Sequence, residues 1–353
     1  MTSIFQGERW VFAGVLKNKG RRYLSDKRLI IDFLNVGFGE SIFIRTTGVK
    51  PLHILVDGGD NRHEMFARHR NRIKVSDYLR VEGIRDIDLM ILTHFHRDHI
   101  AGIHEAIHGL TVREAWVNYL IPCEFQGRKL DVDGSGMSQS IDMYNDIFKV
   151  LERSGARIRF ADEDVEYKTD IGGTTLRITG LTPGKKVLAK LSRDMEMIYD
   201  TTDPDVRAEK LREVDKSLNQ TCIVIKIDYL NTGVLLASDA PLSFWERFIS
   251  TETLKAAILK APHHGDIDCI NRELIKTVGA KYLVISVDNE GIYDLPSPET
   301  KELAESMGLK VVFTEGSIDN CCEHDKQDSG ASIVRFTITH QRITCKHCST
   351  HKA

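Results

Sequence analysis

The stretch "ILTHFHRDHIAG", residues 91–102, places three histidines and one aspartate within six positions, directly after an apolar run. The apolar run predicts a buried strand, and Ile100, Ile103 and Ile107 recur at the spacing of a helix with one buried face. The polar cluster therefore lies between the end of a strand and the beginning of a helix. Packing four ionisable groups there would be costly without a cation, so the stretch predicts a metal site.

Within this cluster the spacing divides the polar residues into two pairs. His94 and His96 alternate on an extended loop and can face one ion. Asp98 and His99 lie at the helix start, where the helix dipole favours a carboxylate, and can face a second ion. This division suits two cations about 3.5–4 Å apart that share a bridging hydroxide. Mixed histidine and carboxylate ligands fit Zn, Mn or Fe, and we expect two divalent ions, Zn or Mn.

Three further positions follow predicted strands and can complete the site. Asp57 ends the strand of "LHILVDGGDN" (52–61), Asp239 ends the hairpin "NQTCIVIKIDYLNTGVLLASDA" (219–240), and His263-His264 follow a strand in "LKAPHHGD" (259–266). Strand ends of layered α/β proteins are where loops converge on a site. Asp239 is the natural bridging carboxylate, whereas Asp57 is expected to orient a ligand histidine. Either histidine of the pair can reach such a site.

Bulk properties exclude a strong general attraction to a polyanion. The 353 residues carry a net charge of −3, so contact with nucleic acid must be local. The best basic patches are "KNKGRR" (17–22) and "RHRNRIK" (68–74), each more often a solvated face than a phosphate track. The first residues show no signal peptide, and no apolar run approaches the ~18 residues of a membrane span. We therefore expect a cytoplasmic protein without membrane contact.

Along the chain, predicted strands and helices alternate without repeats or a clear linker. This order predicts a layered α/β sandwich over residues 1–320, followed by a strand and a Cys/His-rich tail at 321–353. Helices are predicted at 242–254, 271–278 and 298–307. The pattern loosens over 119–216, which we interpret as insertions that carry substrate-selecting loops.

The tail carries a possible second metal site. Cys345-x-x-Cys348 has zinc-finger spacing, and Cys321 or Cys322 with His324 could complete a tetrahedral structural zinc site. The alternative is that these residues are free thiols on a solvated tail.

The H-x-H-x-D-H cluster, with Asp57, Asp239 and His263-His264 in this order, resembles the metallo-β-lactamase superfamily of hydrolases. "FLNVGFGESIFIR" (33–45), "VDGG" (56–59) and "YLVISV" (282–287) further resemble its ComEC-type branch, the metallo-hydrolase domain of the bacterial DNA-uptake channel and its free-standing soluble relatives. The resemblance implies a four-layer αβ/βα sandwich with a dinuclear site in the cleft between its halves. It also implies a bridging hydroxide that attacks the substrate, and nuclease action on DNA.

Carried over residue by residue, the resemblance implies that His94 and His96 bind one metal, that Asp98 and His99 bind the second, and that Asp239 bridges them. The histidine before the glycine, His264, would be the remaining ligand. His263 would then lie beside the substrate.

The chain departs from the family pattern at several positions. Many members have a further histidine ligand before the bridging aspartate, but here that interval holds only His104 and His108, on the helix after the cluster. That ligand position is therefore empty, filled by water, or filled by Asn219 or Ser217. The first turn and the segment after "YLVISV" also differ from the branch, with Asn35, Phe38, Glu40 and Leu295 at the altered positions.

The leading functional hypothesis is a metal-dependent phosphodiesterase or nuclease acting on DNA. Asp98 would guide the proton of the attacking hydroxide, and His263 or Lys260 would neutralise the phosphate oxygens or the leaving group. One alternative is a hydrolase of a small-molecule ester, cyclic nucleotide or lactone. Another is a subunit activated by a protein partner, because free-standing relatives of this branch occur in multi-protein prokaryotic antiviral defence systems.

Overall fold

A computed structural model describes residues 27–130, 136–161, 165–181, 183–249, 251–287, 294–315 and 332–349. The basic patch at 17–22 lies outside the described residues, as do Cys321, Cys322 and His324.

Two large sheets form the centre of the molecule. In chain order their strands are β1 Leu29–Leu34, β2 Ile42–Thr46, β3 His53–Val56, β4 Asp86–Leu92, β5 Thr111–Val117, β6 Arg157–Phe160, β7 Glu166–Asp170, β8 Thr175–Leu181, β9 Val224–Tyr229, β10 Thr232–Leu236, β11 Ile258–Lys260, β12 Tyr282–Ile285, β13 Lys310–Phe313, β14 Ile333–Ile338 and β15 Ile343–Cys348. The first sheet has the order β15-β14-β1-β2-β3-β4-β5-β6, and the second has the order β13-β12-β11-β10-β9-β8-β7.

Each sheet changes from antiparallel to parallel pairing near its middle. β3, β4, β5 and β6 are parallel in the first sheet, and β10, β11, β12 and β13 are parallel in the second. The carboxyl ends of neighbouring parallel strands lie at one edge of a sheet, where the following loops converge. The residues that follow β3, β4, β10 and β11 are therefore the ones that can meet between the sheets.

Helices cover the outer face of both sheets. They are α1 His63–Ala67, α2 Val75–Val81, α3 Arg97–Ala106, α4 Gly136–Arg153, α5 Lys185–Asp200, α6 Pro204–Ser217, α7 Leu242–Trp245, α8 Arg272–Val278 and α9 Pro298–Ser306. Short 3-10 turns follow several of them, including Ile107–Gly109 directly after α3.

Three apolar clusters show the four layers. Alternate residues of β4 point to opposite faces, so that Ile91 packs between the two sheets whereas Leu92 packs against the helices of the first sheet. The second sheet repeats this arrangement, with Val234 in the central cluster and Leu235 in the cluster beneath α8. Helix, sheet, sheet and helix therefore follow one another, as the αβ/βα prediction required.

The stretch 119–216 differs from the prediction of loop insertions. Its strands β6, β7 and β8 belong to the two central sheets, and α4, α5 and α6 supply a large part of the cluster outside the first sheet. The charged composition of α5 and α6 concealed helices whose buried stripe is narrow, with Leu211 and Val214 as the buried residues of α6.

Two other segments also differ from the predictions. The helix expected over 242–254 is limited to α7 and a separate 3-10 turn at Glu252–Leu254. The segment 332–349 is not a tail, because β14 pairs with β1 and forms the edge of the first sheet together with β15.

Among the residues that the structure describes, none of the helices is long and apolar enough to cross a bilayer. The cytoplasmic location stays a prediction.

Candidate metal centre

The polar residues singled out in the sequence converge between the two sheets. Asp57 follows β3, His94 follows β4, Asp239 follows β10 and His264 follows β11, while Asp98 lies in the first turn of α3. Six side chains form two groups whose ligand atoms are mutually close: Asp98, His99, Asp239 and His264 in one, and His94, His96 and Asp239 in the other. Asp239 belongs to both groups, as a bridging carboxylate would.

The spacing within the groups fits divalent cations. His94 Nε2 lies 3.0 Å from His96 Nδ1, His99 Nε2 lies 3.3 Å from Asp239 Oδ2, and His264 Nε2 lies 3.3 Å from Asp98 Oδ2. Two atoms that each lie about 2.0–2.2 Å from a four-coordinate ion are about 3.3–3.6 Å apart. The side chains are thus arranged at the separation of ligand atoms around shared ions.

Unsatisfied polar atoms also indicate a cation. His99 Nε2, His264 Nε2 and Asp239 Oδ1 are buried and make no directed hydrogen bond within the described residues. Each such atom costs about 1–3 kcal/mol when it is left without a partner. Because all three belong to the same group, a cation bound there would compensate the three penalties together. The residues present therefore fit a metal centre of nitrogen and oxygen ligands.

Asp57 orients one of the candidate ligands. Its carboxylate is fully buried and accepts hydrogen bonds from Thr93 N at 2.9 Å, Thr93 Oγ1 at 2.6 Å and His99 Nδ1 at 2.8 Å. With Nδ1–H donating to Asp57, the lone pair of His99 lies on Nε2, which faces Asp239. Burial raises the pKa of Asp57, and the His99 imidazole opposes that shift. As the sequence predicted, Asp57 thus contacts a candidate ligand histidine and orients it.

Backbone contacts fix this arrangement. Gly58 N donates to His99 O at 2.7 Å, and Gly102 N donates to Gly59 O at 2.8 Å. A side chain at Gly102 would overlap the Gly58 carbonyl. The glycines of "VDGG" and "HIAG" therefore allow the β3 loop to lie directly on α3, which brings Asp57 against His99.

The tertiary structure distinguishes His263 from His264. Both have positive φ angles, 43° and 54°, so the turn directs the two imidazoles apart. His264 Nδ1 lies 3.0 Å from Ser286 O, and its Nε2 faces Asp98 and Asp239. His263 Nδ1 instead lies 3.0 Å from Asp266 Oδ2 and 3.7 Å from Cys269 Sγ. The structure therefore brings His264 into the metal group and leaves His263 half-buried beside it.

The electrostatics of the centre are dominated by burial and by the close imidazoles. Burial lowers the pKa of His94 well below its ordinary value, and His99 and His96 add to the shift. Burial tends to raise the pKa of Asp239, but the imidazoles of His99 and His264 hold it well below the usual range. Burial tends to lower the pKa of His99, but the carboxylates of Asp239, Asp98 and Asp57 hold it well above its ordinary value. A bound cation would have to displace that proton, because metal ligation requires neutral imidazoles and ionised carboxylates.

Lys260 does not reach the cleft. Its side chain is fully buried and forms an ion pair with Glu40, which is also fully buried. Lys260 is not among the residues that line the cleft, and its catalytic role stays a prediction. The lysine neutralises Glu40, one of the positions at which the sequence departs from the family pattern.

Of the two residues suggested for the further ligand position, Ser217 is engaged within α6, where its Oγ donates to Glu213 O at 2.9 Å. Asn219 lies in the 3-10 turn that follows α6. Its buried Oδ1 has no hydrogen-bond partner within the described residues, and its role as a ligand stays a prediction. Asp215 of α6 also approaches the centre, with Oδ1 3.5 Å from His96 Nε2. Asp215 lies in a charged helix far from His96 in the sequence, so no local pattern predicted this contact.

The centre opens into a cleft of 320 Å³. Its walls are lined by Phe38, Asp60, Arg62, His96, Arg97, Asp98, Gly136, Met137, Ser140, Leu211, Arg212 and Asp215. Helices α4 and α6 thus form one side of the cleft, while His96 and Asp98 form its floor. Phe38, another departure from the family pattern, packs against His264 with ring centroids 4.8 Å apart.

The two described C-terminal cysteines, Cys345 and Cys348, pack on different faces of the first sheet. Cys345 packs in the cluster between the sheets, whereas Cys348 packs against the cluster on the opposite face of the first sheet. Residues three apart on a strand point to opposite faces. Cys345 and Cys348 therefore do not form a shared zinc site in β15, and the other candidate ligands lie outside the described residues.

Comparisons with known proteins agree with this geometry. Residues 34–128 match the model of the metallo-beta-lactamase superfamily. The uncharacterised protein YcaI of Escherichia coli (strain K12) is 25% identical over 132 residues, which are 37% of this chain and 16% of YcaI. The chain therefore spans about a sixth of the length of that relative.

Solved structures with a similar course of the chain include a diphosphatase from the PhnP family, with a TM-score of 0.39, 13% identity and coverage of 88% of this chain and 98% of that one. Zn(2+)-bound PqqB from Methylobacterium extorquens has a TM-score of 0.40, 10% identity and coverage of 80% and 97%. A long form of RNase Z from yeast has a TM-score of 0.38, 13% identity and coverage of 90% and 42%. At these TM-scores none of the three bears on the substrate.

Proposed function

We propose that this chain, whose residues 34–128 match the model of the metallo-beta-lactamase superfamily, is a metal-dependent hydrolase that cleaves phosphodiester bonds in DNA. The observation that carries the proposal is the pair of ligand groups that share Asp239. Six buried or half-buried ionisable side chains are gathered beside one cleft, which His96 and Asp98 line. Such a cluster has no use in a purely structural core, where polar groups are paired. We propose His94, His96, Asp98, His99, Asp239 and His264 as the ligands of two divalent ions, Zn or Mn.

When bound, such ions supply Lewis acidity at the scissile group and lower the pKa of water towards neutrality. The protein contributes the orientation of the ligands. Asp57 and the Ser286 carbonyl each take one imidazole N–H, from His99 and His264, and so direct the other nitrogen of each ring into the centre. These contacts fix the tautomers on which ligation depends.

Two side chains next to the centre have proposed roles in proton transfer. Asp98 is 17% exposed and lines the cleft, so its carboxylate can accept a proton from the attacking water. His263 is 30% exposed, and its Nδ1 is held by Asp266. That contact leaves Nε2 as the nitrogen directed away from Asp266, and in the doubly protonated imidazole it can donate a proton to a leaving oxygen.

DNA as the substrate is supported by the sequence motifs that resemble the ComEC-type branch. The net charge of −3 requires that contact with a polyanion be local, and the cleft supplies local positive charge through Arg62, Arg97 and Arg212. Protein partners in a defence system stay a prediction.

A second candidate is a hydrolase of a small phosphoester, such as a cyclic nucleotide. The cleft volume of 320 Å³ favours it, because that volume lies at the lower end of the range for small-molecule sites. Helix α6 closes one side of the cleft and would limit the length of the substrate.

Elemental analysis of the purified protein, combined with an activity matrix of metals against substrates, tests the proposal. We expect about two metal ions per chain and cleavage of DNA that a chelator abolishes. Asp239→Asn and His264→Ala should each reduce turnover at least 10³-fold, since each removes a ligand (about 4 kcal/mol at the barrier). His108→Ala, a change on the exposed surface, is the matched control.

Cleavage that persists unchanged in Asp239→Asn, or without metal, would disprove the mechanism. Cleavage of a cyclic nucleotide but not of single- or double-stranded DNA would favour the second candidate.

A further inference from the structure

Asp60 is a buried carboxylate that holds two arginines at the mouth of the metal cleft. Its side chain is 0% exposed and lies 2.7 Å from Arg62 Nη2. The same carboxylate accepts from Arg62 Nε at 2.8 Å and lies 3.4 Å from Arg97 Nε. Backbone N–H groups of Asn61 and Arg62 donate to Asp60 Oδ1 at 2.6 and 2.9 Å. The carboxylate is thus fixed by its own loop and fixes both guanidinium groups in turn.

Both guanidinium groups line the cleft together with Asp98. The side chains of Arg62 and Arg97 are 45% and 33% exposed, so their heads face solvent although Asp60 is buried. Arg97 Nη2 donates to Asn61 Oδ1 at 2.8 Å. Within the described residues Arg97 Nε is buried and forms no directed hydrogen bond. Arg97 is therefore held in place by Asp60 and Asn61, with its Nε on the side of the buried carboxylate.

The charged side chains that line the cleft are complementary to an anion. Arg62, Arg97 and Arg212 contribute three positive charges, while Asp60 and Asp215 contribute two negative ones. The remaining carboxylate in the cleft, Asp98, is one of the proposed metal ligands. A planar guanidinium with fixed donors binds phosphate oxygens in a bidentate manner, and an anionic phosphate gains more from three neighbouring guanidinium groups than a neutral ester carbonyl does.

We propose that Arg97 and Arg62, positioned by Asp60, bind the non-bridging oxygens of a substrate phosphate, and that the substrates of this enzyme are phosphate esters rather than carboxyl esters or lactones. This inference rests on the proposed function, because it assigns the substrate class of the same cleft. Asp60 is a positioning residue in this scheme, whereas the two arginines touch the substrate.

Binding of inorganic phosphate tests the assignment independently of turnover. Phosphate is titrated calorimetrically into the metal-loaded full chain, its Arg97→Gln and Arg62→Gln variants, and a matched surface variant, Arg80→Gln. Arg80 is 74% exposed and pairs with Asp77 on α2. We expect the Kd for phosphate to rise at least tenfold in each cleft variant and less than twofold in Arg80→Gln. Values within twofold of wild type in both cleft variants, or no phosphate binding by wild type, would overturn the proposal.

Specificity supplies the second readout. The ratio of kcat/KM for bis-p-nitrophenyl phosphate to kcat/KM for p-nitrophenyl acetate should fall at least tenfold in Arg97→Gln and Arg62→Gln. Asp60→Asn should raise KM for the phosphodiester more than it lowers kcat, because the arginines remain but are held less firmly. A lower kcat with unchanged KM would contradict the positioning role.

Failure of the proposed function and failure of the arginine assignment give different experimental results. If wild type cleaves no phosphodiester but binds phosphate through Arg97 and Arg62, the proposed function fails and the anion site stands. If cleavage occurs and the arginine variants retain both phosphate affinity and the substrate ratio, only this inference fails. Should a Gln variant not fold, as judged by circular dichroism, Arg97→Lys and Arg62→Lys keep the charge without the planar fork, and at least a threefold rise in Kd is expected.

Discussion

Replacement of Asp57 by asparagine should weaken metal binding although Asp57 touches no proposed ion. The carboxylate only accepts hydrogen bonds, and it faces three donors on Thr93 and His99. An asparagine must place its NH₂ group against at least one of them. If that group faces His99 Nδ1, the imidazole must shift its proton to Nε2, the atom directed at Asp239. If it faces Thr93 N, two donors oppose each other in a buried position.

The magnitude follows from the bond that is lost. A hydrogen bond to a charged group contributes about 1.5–3 kcal/mol, and leaving a buried donor without a partner costs about 1–3 kcal/mol. At about 1.4 kcal/mol per factor of ten, Asp57→Asn should reduce metal affinity about 10- to 100-fold. Metal-free protein titrated with Zn²⁺ in competition with a chromogenic chelator measures this change.

Asp32→Asn is the control for burial. Asp32 is equally buried in β1, but it pairs with Arg335 and accepts from Tyr78 OH at 2.6 Å, and it belongs to neither ligand group. That variant should lose stability while its Zn²⁺ affinity stays within twofold of wild type. Equal affinities in wild type and Asp57→Asn would refute the argument that Asp57 fixes the His99 tautomer.

Three further predictions follow. Removal of metal by a chelator should lower Tm by about 7 °C. Each of the two ions contributes about 2.7 kcal/mol at 100-fold over its Kd, and the unfolding entropy of a chain of this length is about 0.7 kcal/mol/K. An unchanged Tm would contradict a centre that compensates buried ligands. Lys260→Met should lower the free energy of unfolding in urea by about 3–5 kcal/mol, since it leaves Glu40 buried without its cation. The double variant Lys260→Met with Glu40→Gln should recover most of that loss. Cys348→Ser should leave the zinc content of the purified protein unchanged, because Cys345 and Cys348 face opposite sides of β15. Loss of one zinc ion per chain would show that the two cysteines share a zinc site.

Local sequence patterns predicted the parts of the centre that are close together in the chain. The apolar run before His94 and the three- and four-residue spacing after His99 correspond to β4 and α3. Asp57 and Asp239 were recognisable because each directly follows a strand. Hydrophobic periodicity did not predict the helices of residues 119–216, because the charged exposed faces of α5 and α6 concealed their narrow buried stripes.

The sequence by itself determined the layered α/β class and a cluster of ionisable groups that packing alone could not accommodate, because strand and helix periodicity and the cost of buried charge are local properties. That His264 and not His263 faces Asp239 follows only from the folded chain, since it depends on two left-handed backbone angles in one turn. The fold also pairs Lys260 with Glu40, 220 positions earlier in the chain, and brings Asp215 to His96. Contacts between residues so far apart depend on how the two sheets pack against each other, and no short stretch of sequence records that packing.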